Sequence, residues 1–243
     1  MDSFDVEHYR SEGWAHSEGI FSDHECCDLI EYMLDLQTGK ILLDGFEQRA
    51  SEEWHRTHNQ HHYDQKARQW LIAPPLYNAL RLCLDDEPEG IQTMYFWKGS
   101  EQGRHQDQFY LPGCISAWVA LMDVDEENGT IWVQSKSHQG RLLTNADFDT
   151  SGEFFDWDYN AAVDELFHRN DLPETPVRAK QGDVVFFDGK LVHRGGPVAN
   201  TESFRHVIAN HYIGQGFSDW PHTSWPRLSF DGCERSSSCE HDG

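Results

Sequence analysis

The chain has 243 residues, 38% of them hydrophobic and 13% aromatic, with 42 acidic and 19 basic residues and a formal net charge of −23. Such an aromatic-rich composition excludes a disordered chain, and the length suits one domain with a sizeable core. The negative charge repels nucleic acid and anionic membranes, so neither is an expected partner, and the same charge could steer a cationic substrate.

The N-terminal residues and the cysteines indicate a cellular location. The opening MDSFDVEHYR is polar and acidic, unlike a signal peptide, and no apolar run reaches the length of a membrane span. The six cysteines form no CxxC pair. A cytoplasmic protein with mostly reduced thiols is therefore expected. The sequence does not predict the oligomeric state.

Helical patterns dominate the first part of the chain. Residues 5–11 predict a short helix. Ser22 and Glu25 match a capping box, and the apolar residues behind them recur at helical spacing, which predicts a helix to about residue 36. The segment APPLYNALRLCLDD predicts a further helix that begins at its prolines.

Strand patterns follow from residue 91 onward, in IQTMYFWK, HQDQFYL, CISAWVALMDV, TIWVQ, DVVFFDG, KLVHRGGP and FRHVIANHYI. Residues 144–174 are acidic and aromatic without a clear period, and we interpret them as an excursion over the sheet, such as a lid. The order of elements favours one domain over residues 1–243, mainly β with flanking helices. It would consist of a helical buttress (about 1–88), a β-sandwich or barrel core (about 89–215) and a loose tail (231–243).

A metal-binding pattern lies within the predicted strands. Residues two apart on a strand point to the same face, so His105 and Asp107 would share one space. His193, at the end of a later strand, supplies a third ligand of the right kind. Two histidines and one carboxylate on one face of a metal leave three positions open, as in non-haem iron(II) oxygenases. Arg205 follows twelve residues later and is predicted to bind a carboxylate, although an ion pair at a strand edge is the alternative.

These segments resemble the phytanoyl-CoA dioxygenase family of iron(II)- and 2-oxoglutarate-dependent oxygenases. The similarity rests on HQDQFYLP, CISAWVALMDVDEENGTIWVQSKSHQG and GDVVFFDGKLVHRGGPVANTESFRHVIANHYI, from about residue 88 to 214, with a weaker match in YRSEGWAHSEGIFSDHECCDLI. The resemblance implies a double-stranded β-helix, the jelly-roll core shared with cupins. It also implies three cofactors and cosubstrates: Fe(II), 2-oxoglutarate and dioxygen.

The resemblance also implies roles for individual residues. His105, Asp107 and His193 would bind the iron, and Arg205 would hold the distal carboxylate of 2-oxoglutarate. Three further residues would line the cosubstrate: Gln106, Trp118 and Met94. For Trp118 and Met94, ordinary core packing is the alternative interpretation. His138 matches a turn of the family and is interpreted as a structural residue rather than a ligand.

Two features bear on the reaction. A family member can carry a hydroxyl residue two positions beyond the distal histidine, where this chain has Gly195. The second contact to the 2-oxoglutarate carboxylate would then come from Tyr95, Ser116 or Thr130. Related halogenases lack the carboxylate ligand, so Asp107 favours hydroxylation of an unactivated carbon, or desaturation or ring closure, over chlorination. Succinate and CO2 would be the co-products.

Three alternatives remain open at this level. The segment HRTHNQHH, residues 55–62, is a rival zinc site, with Glu52 three residues before its first histidine. We interpret it as a flexible polar loop near the mouth of the active site. A cupin-like metal-binding jelly roll, an isomerase or a binding module without 2-oxoglutarate turnover, would need the histidines but not Arg205. A non-catalytic relic of the fold would have a broken triad.

The substrate is the least specified feature. The pocket is expected to be walled by aromatic residues, with six candidates: Phe109, Tyr110, Phe154, Phe155, Trp157 and Tyr159. Aromatic rings in acidic surroundings suit a cationic small molecule through cation–π contacts. No basic patch for a CoA phosphate is present, so a free amino acid, a small metabolite or a natural-product intermediate is at least as plausible.

Overall fold

Ten strands and six α-helices form the described part of the chain, which in this computed structural model comprises residues 4–48, 56–154, 157–200 and 202–235. The helices are α1 Val6–Glu12, α2 Asp23–Gln37, α3 Gln65–Leu71, α4 Tyr77–Leu84, α5 Asp107–Tyr110 and α6 Tyr159–Asn170. The strands are β1 Trp14–Ser17, β2 Pro88–Phe96, β3 Ile115–Ala120, β4 Ile131–Gln134, β5 Glu174–Pro176, β6 Val184–Asp188, β7 His193–Gly195, β8 Val207–Gly214, β9 Arg227–Ser229 and β10 Glu234–Arg235.

The strands form two antiparallel sheets. The larger sheet has the order β1-β6-β3-β8-β2-β9-β10, and the smaller one has the order β5-β4-β7. Because β4 and β7 lie in one sheet while β3, β6 and β8 lie in the other, the chain crosses repeatedly between the two sheets, as in a jelly roll. The predicted class, mainly β with flanking helices around a jelly-roll core, is confirmed.

The predicted helices at the N-terminal end are present, and their ends follow the sequence signals. In α2 the capping box is complete, since Ser22 Oγ accepts from the backbone N–H of Glu25 while the Glu25 carboxylate accepts from the backbone N–H of Ser22. Helix α1 ends at Gly13, whose φ of 85° lies in the left-handed region that favours glycine. The segment APPLYNALRLCLDD forms a short 3₁₀ turn at its prolines and then α4.

The larger sheet contains strands from outside the predicted core of residues 89–215. Strand β1, within the predicted helical buttress, pairs with β6, and β9 and β10 extend the opposite edge. The start of the predicted loose tail therefore belongs to the sheet through β10, whereas residues 236–243 lie outside the described part. The assignment of residues 1–243 to a single domain stays a prediction.

The two faces of the larger sheet bury different surroundings. On β8, Ile208 and Tyr212 face a cluster that includes residues of α2 and α4, such as Leu29, Met33 and Leu80. The alternating residues of β8 face the space between the two sheets, where they pack with side chains of β2, β3 and β6. This alternation follows from the two-residue period of a strand. It places every second residue of β8 in the interior of the jelly roll.

One sequence prediction of local structure was wrong. The segment HQDQFYL is not a strand: His105 forms one isolated bridge, and the helical turn α5 begins at Asp107. The backbone turns directly after His105, and this turn places the side chains of His105 and Asp107 in the interior instead of continuing a strand. The excursion 144–174 includes α6, in which Tyr159 and Val163 are buried, and its role as a lid stays a prediction.

The described part of the histidine-rich segment is packed rather than flexible. Residues Gln60–His62 form a 3₁₀ turn in which Gln60 and His61 are buried, and His61 is fully inaccessible to solvent. Among the described residues, neither ring nitrogen of His61 has a hydrogen-bond partner. Burial, with the nearby His62 and Arg68, lowers the pKa of His61 to about 3. His55 and Glu52 lie outside the described residues.

The burial of His61 predicts a loss of stability in acid. The group is neutral when folded but protonates near pH 6.5 when unfolded, so its stabilising effect is complete above that pH and declines as the pH falls towards 3. Between pH 7 and pH 5 we expect His61 to account for about 2 kcal/mol of the lost unfolding free energy. Urea denaturation of parent and His61→Phe at both pH values measures this difference. His24→Gln, on the exposed face of α2, is the control, and an equal pH dependence in all three proteins would contradict the prediction.

The sequence also predicted mostly reduced thiols and no apolar run long enough to span a membrane. Five cysteines are described, Cys26, Cys27, Cys83, Cys114 and Cys233, and all five are free thiols. Of the helices that the structure describes, none combines the length and the apolar character needed to cross a membrane.

Candidate active site

A backbone bridge holds the two predicted histidine ligands side by side. The N–H of His105 donates to the carbonyl of His193 over 2.9 Å, and the N–H of His193 donates back over 3.1 Å. In such an antiparallel pair the two side chains project to the same side. Their ring centroids lie 4.1 Å apart, and both side chains are buried. The isolated bridge therefore replaces the continuous strand that the sequence predicted.

Asp107 completes a three-residue cluster with these histidines. Its Oδ1 lies 3.5 Å from His105 Nε2 and 3.6 Å from His193 Nε2. One ligand atom from each residue lies within 4.8 Å of the other two. Ligand atoms about 2.1 Å from a metal and at right angles lie about 3 Å apart, so a small closure of this cluster fits a metal ion. Among the described residues, no other group of three histidine, cysteine or acidic side chains converges in this way.

The hydrogen bonds of the histidines select the tautomer that a metal needs. Nδ1 of His105 lies 2.8 Å from the carbonyl oxygen of Gly103, and Nδ1 of His193 lies 2.9 Å from that of Leu191. A carbonyl oxygen only accepts, so each Nδ1 carries the proton and each Nε2 presents its lone pair to the centre. Metal-binding histidines are commonly oriented by such a second hydrogen bond.

The carboxylate of Asp107 is oriented by two side chains on the larger sheet. Ser116 Oγ on β3 donates to Oδ2 over 2.7 Å, and His211 Nε2 on β8 lies 3.4 Å from the same oxygen. Oδ1 is thereby left to face the two histidines. His211 was not recognised in the sequence, although the two-residue period from Arg205 through Val207 and Ala209 places it on the same face.

The electrostatics keep the cluster in the state that binds a cation. Burial and the neighbouring His193 lower the pKa of His105 to about 3, so its imidazole is neutral at pH 7. Burial alone would raise the pKa of Asp107, but His193, His211 and His105 outweigh it and hold that pKa well below its usual range. The cluster thus combines a buried carboxylate with a neutral imidazole, as a divalent metal requires.

Removal of the Ser116 hydroxyl is expected to weaken metal binding without removing a ligand. In Ser116→Ala, Oδ2 of Asp107 loses its donor and the carboxylate can rotate, so the dissociation constant for Ni(II) should rise about tenfold, at the lower end of effects of such outer partners. Calorimetric titration measures the change. Ser135→Ala, which removes a partner of Trp14 away from the cluster, should bind as the parent does. Equal affinity in both variants would contradict the role of Ser116.

Arg205 lies two residues before β8 with its guanidinium in the interior. It is 1% exposed, and its Nη1 donates to the carbonyl of Gly129 over 2.6 Å. Among the described residues its Nε has no hydrogen-bond partner. The guanidinium lies 5.3 Å from the ring centroid of Phe96, and burial lowers the pKa of Arg205 to about 10, so it remains charged at pH 7. A buried cation with spare donors can bind an anion.

Met94 and Trp118 lie in one row across three neighbouring strands. Ala209 on β8 pairs with Met94 on β2 and with Trp118 on β3. Directly paired residues of antiparallel strands share a face, and all three belong to the interior cluster. The small side chain of Ala209 lies between two large ones, and along the chain it lies between Arg205 and His211.

Gln106 points away from this space. Its amide donates to the carbonyls of Arg141 and Lys190 over 3.0 and 2.7 Å, and its Oε1 accepts from the N–H of Leu143. The Tyr159 hydroxyl accepts from the backbone N–H of Gln106 and lies within hydrogen-bond distance of its carbonyl. These contacts indicate that Gln106 fixes the backbone between the two ligands, and its contact with a cosubstrate stays a prediction.

The residues considered for a second carboxylate contact have other partners. Tyr95 lies on the helix-facing side of the sheet and its hydroxyl pairs with His206, while Thr130 donates to the carbonyl of Val177. The Ser116 hydroxyl donates to Asp107, as described above. A Cβ at Gly195 would lie 2.8 Å from the backbone N of Gln102, so this position has no room for a hydroxyl-bearing side chain.

The aromatic candidates divide into packing residues and exposed ones. The ring of Phe109 on α5 stacks on that of Tyr159 on α6, with their centroids 3.9 Å apart. Tyr110 is half-buried, and its ring lies 6.4 Å from that of His105. Phe154 is 48% exposed, Trp157 is half-buried and Phe155 lies outside the described residues. His138 contacts the carbonyl of Arg10 in α1, away from the metal cluster.

The chain is similar to known proteins over most of its length. A sequence model described as Phytanoyl-CoA dioxygenase (PhyH) matches residues 9–207. Phytanoyl-CoA dioxygenase 1 of Oryza sativa subsp. japonica is 30% identical over 159 residues, which cover 62% of this chain and 52% of that protein.

Solved structures share the fold at low identity. The epimerase SnoN in complex with Fe3+, alpha ketoglutarate and nogalamycin RO superposes with a TM-score of 0.68 at 19% identity, covering 90% of this chain and 89% of that one. The carbocyclase SnoK superposes with a TM-score of 0.67 at 19% identity, covering 86% and 82%.

The family match extends over most of this chain, but this chain matches only part of the length of its relatives. This chain spans about half the length of the curated relatives that it matches, from 37% to 60% for the first three. The family match, by contrast, covers well over half of the chain and includes the HxD pair, the second histidine and Arg205. The chain belongs to the phytanoyl-CoA dioxygenase (PhyH) family.

Proposed function

We propose that this protein is an iron(II)- and 2-oxoglutarate-dependent oxygenase, formed as one domain, that hydroxylates an unactivated carbon of a small-molecule metabolite. The observation that carries the proposal is the convergence of two imidazole Nε2 atoms and one carboxylate oxygen on a common point. Three ligands on one face of a metal leave three positions open, which is the arrangement of non-haem iron(II) oxygenases. Iron(II) bound there supplies activation of dioxygen, coupled to decarboxylation of 2-oxoglutarate to succinate and CO2.

The chain's own residues would orient the cosubstrate. Arg205 presents a buried, charged guanidinium to the interior and would bind the distal carboxylate of 2-oxoglutarate through its spare N–H donors. Met94 and Trp118 would form walls on either side of the small Ala209, along the face that runs from Arg205 towards His211. These apolar walls would exclude water from the reacting groups.

Asp107 supports oxygen insertion rather than halide transfer. Its carboxylate occupies the third ligand position and is held there by Ser116 and His211, so no position is left open by a missing ligand. SnoN is described as an epimerase and SnoK as a carbocyclase, so proteins with this fold carry out reactions other than hydroxylation. For this chain we propose hydroxylation, with ring closure, desaturation and epimerisation as the outcomes that product analysis distinguishes.

Anaerobic titration with Fe(II) and 2-oxoglutarate tests the proposal. Chelation of the metal by the keto and carboxylate groups should produce a weak visible charge-transfer band, which glutarate, lacking the keto group, should not produce. A substrate screen that measures succinate release under air then identifies the compound that accelerates turnover. Absence of the band, together with absence of 2-oxoglutarate binding, would contradict the proposed function.

A further inference from the structure

Two arginines flank the ligand histidines on the reverse side of the backbone bridge. Arg104 precedes His105, and Arg194 follows His193. Because the two histidines pair directly in an antiparallel bridge, the residue before the first lies opposite the residue after the second. Side chains alternate along extended backbone, so both arginines leave it on the side opposite to the histidines. The bridge therefore presents two imidazoles to the metal centre and two guanidiniums to its reverse side.

One carboxylate binds both of these arginines. Glu174 Oε1 accepts from Nε of Arg104 over 3.0 Å and from Nε of Arg194 over 2.9 Å. Glu174 Oε2 accepts from Nη2 of Arg194 over 2.8 Å, which makes that pair bidentate. The side chain of Glu174 is 12% exposed, and those of Arg104 and Arg194 are 19% and 24% exposed. Ion pairs enclosed to this degree are screened less than pairs on the open surface.

Glu174 lies two strands away from the histidine of β7. It begins β5, which pairs with one edge of β4, while β7 pairs with the other edge. Gln134 and Trp132 of β4 are the direct partners of Glu174 and Arg194, so these four residues share one face of the smaller sheet. The Arg194 guanidinium lies 5.1 Å from the centroid of the Trp132 ring. The ion pair thus crosses above β4 and connects β5 with the histidine segments.

The charge of Glu174 offsets an unfavourable pair of like charges. Two cations opposite each other on neighbouring segments repel, and both stand beside a site for a divalent cation. Burial alone would raise the pKa of Glu174, but hydrogen bonds from Arg194 and Arg104 lower it, so the carboxylate is charged at pH 7. Asp164 of α6 adds a second negative charge, with its Oδ1 2.7 Å from Nη1 of Arg104. The two carboxylates together balance the two guanidiniums.

Helix α6 covers this face of the smaller sheet. The guanidinium of Arg104 lies 3.8 Å from the centroid of the Phe167 ring, and Asn160 Nδ2 donates to the carbonyl of Arg104 over 2.8 Å. Gln134 Nε2 donates to the carbonyl of Phe167 over 2.9 Å. The helix therefore shields the ion pair and holds the backbone that leads into the first ligand histidine.

We propose that Glu174 is a positioning residue of the metal centre, which sets the separation and the rotation of the two ligand histidines. By binding Arg104 and Arg194 together, it limits the twist of the single residue pair that joins the histidine segments. The proposal rests on the metal site of the proposed function. Without the carboxylate, the two guanidiniums repel each other, the backbone of the bridge turns, and the two Nε2 atoms converge less well on the metal.

Calorimetric titration with Ni(II) and the visible spectrum of the Co(II)-loaded protein test this proposal. Glu174→Gln keeps the shape of the side chain but removes its charge, and we expect the dissociation constant for Ni(II) to rise about tenfold. At saturating Co(II), the ligand-field bands should differ from those of the parent, because the ligands are displaced. Glu126→Gln is the matched control and should behave as the parent, since Glu126 also binds an arginine, Arg178, through two hydrogen bonds but on the exposed surface.

The spectrum separates a positioning role from a structural one. A variant that is only less stable shows the parent spectrum once it is saturated with Co(II). Parent affinity for Ni(II) in Glu174→Gln, or a parent spectrum at saturation, would overturn this role alone. A parent that binds neither metal would overturn the proposed function together with this role.

A second variant decides the matter if Glu174→Gln does not fold. Arg194→Lys keeps the positive charge but cannot form the bidentate pair, so the dissociation constant for Ni(II) should rise about threefold, with a changed Co(II) spectrum. An Arg194→Lys protein with the affinity and the saturated spectrum of the parent would refute the positioning role of the ion pair.

Discussion

Asp107→Asn is expected to reduce 2-oxoglutarate turnover to below about 1% of the parent, because loss of a direct ligand must exceed the 10- to 100-fold effects of outer partners. The amide keeps the shape of the side chain but lacks the negative charge that a divalent metal needs. Ser116 and His211 would then orient a neutral group. Succinate release with the identified substrate measures turnover, and calorimetry with Ni(II) measures affinity.

Thermal unfolding separates loss of the metal site from loss of the fold. Ni(II) should raise the melting temperature of the parent, because a ligand that binds the folded state stabilises it, but not that of Asp107→Asn. Asp183→Asn is the matched control, since Asp183 is also buried and pairs with a histidine, His16, at 2.8 Å away from the cluster. Turnover by Asp107→Asn comparable with that of Asp183→Asn would remove Asp107 from the site.

Arg205→Gln is expected to raise the KM for 2-oxoglutarate by about 100-fold or more, because two hydrogen bonds to a charged carboxylate contribute about 1.5–3 kcal/mol each. Binding of Ni(II) should be unchanged, since Arg205 contacts no residue of the metal cluster among its hydrogen bonds. The charge-transfer titration with Fe(II) provides the affinity for 2-oxoglutarate independently of turnover. Arg205→Lys keeps the charge but not the paired donors and should lie between the parent and Arg205→Gln.

The same variant addresses the cupin-like alternative. A metal-binding jelly roll without 2-oxoglutarate turnover needs the histidines but has no use for a buried arginine. In that protein Arg205→Gln would leave metal binding intact and improve stability, because a buried cation without a carboxylate partner among the described residues would be removed. An Arg205→Gln protein that binds 2-oxoglutarate as tightly as the parent would refute the anchor role.

The strand pattern around Asp107 illustrates why predicted ligands can converge even though the predicted local structure is wrong. The spacing of His105 and Asp107 predicted a shared face on a strand, yet the backbone forms one bridge and then a helical turn. The two side chains still converge because His193 pairs directly with His105 and Ser116 binds Asp107. The convergence thus depends on contacts from β7 and β3, which no local pattern describes.

Sequence patterns by themselves determined the mainly β class with flanking helices, the capping box of α2 and the identity of the residues that meet at the candidate metal centre, whereas the jelly roll was implied by the family resemblance. Those features depend on short-range periodicity and on residue types that suit one chemistry. Tertiary structure alone decided that His211 lies beside Asp107, that Gln106 faces away from the centre, and that Glu174 joins Arg104 to Arg194. These contacts join segments far apart in the chain, and their partners are set by sheet pairing and by the direction in which each side chain leaves the backbone.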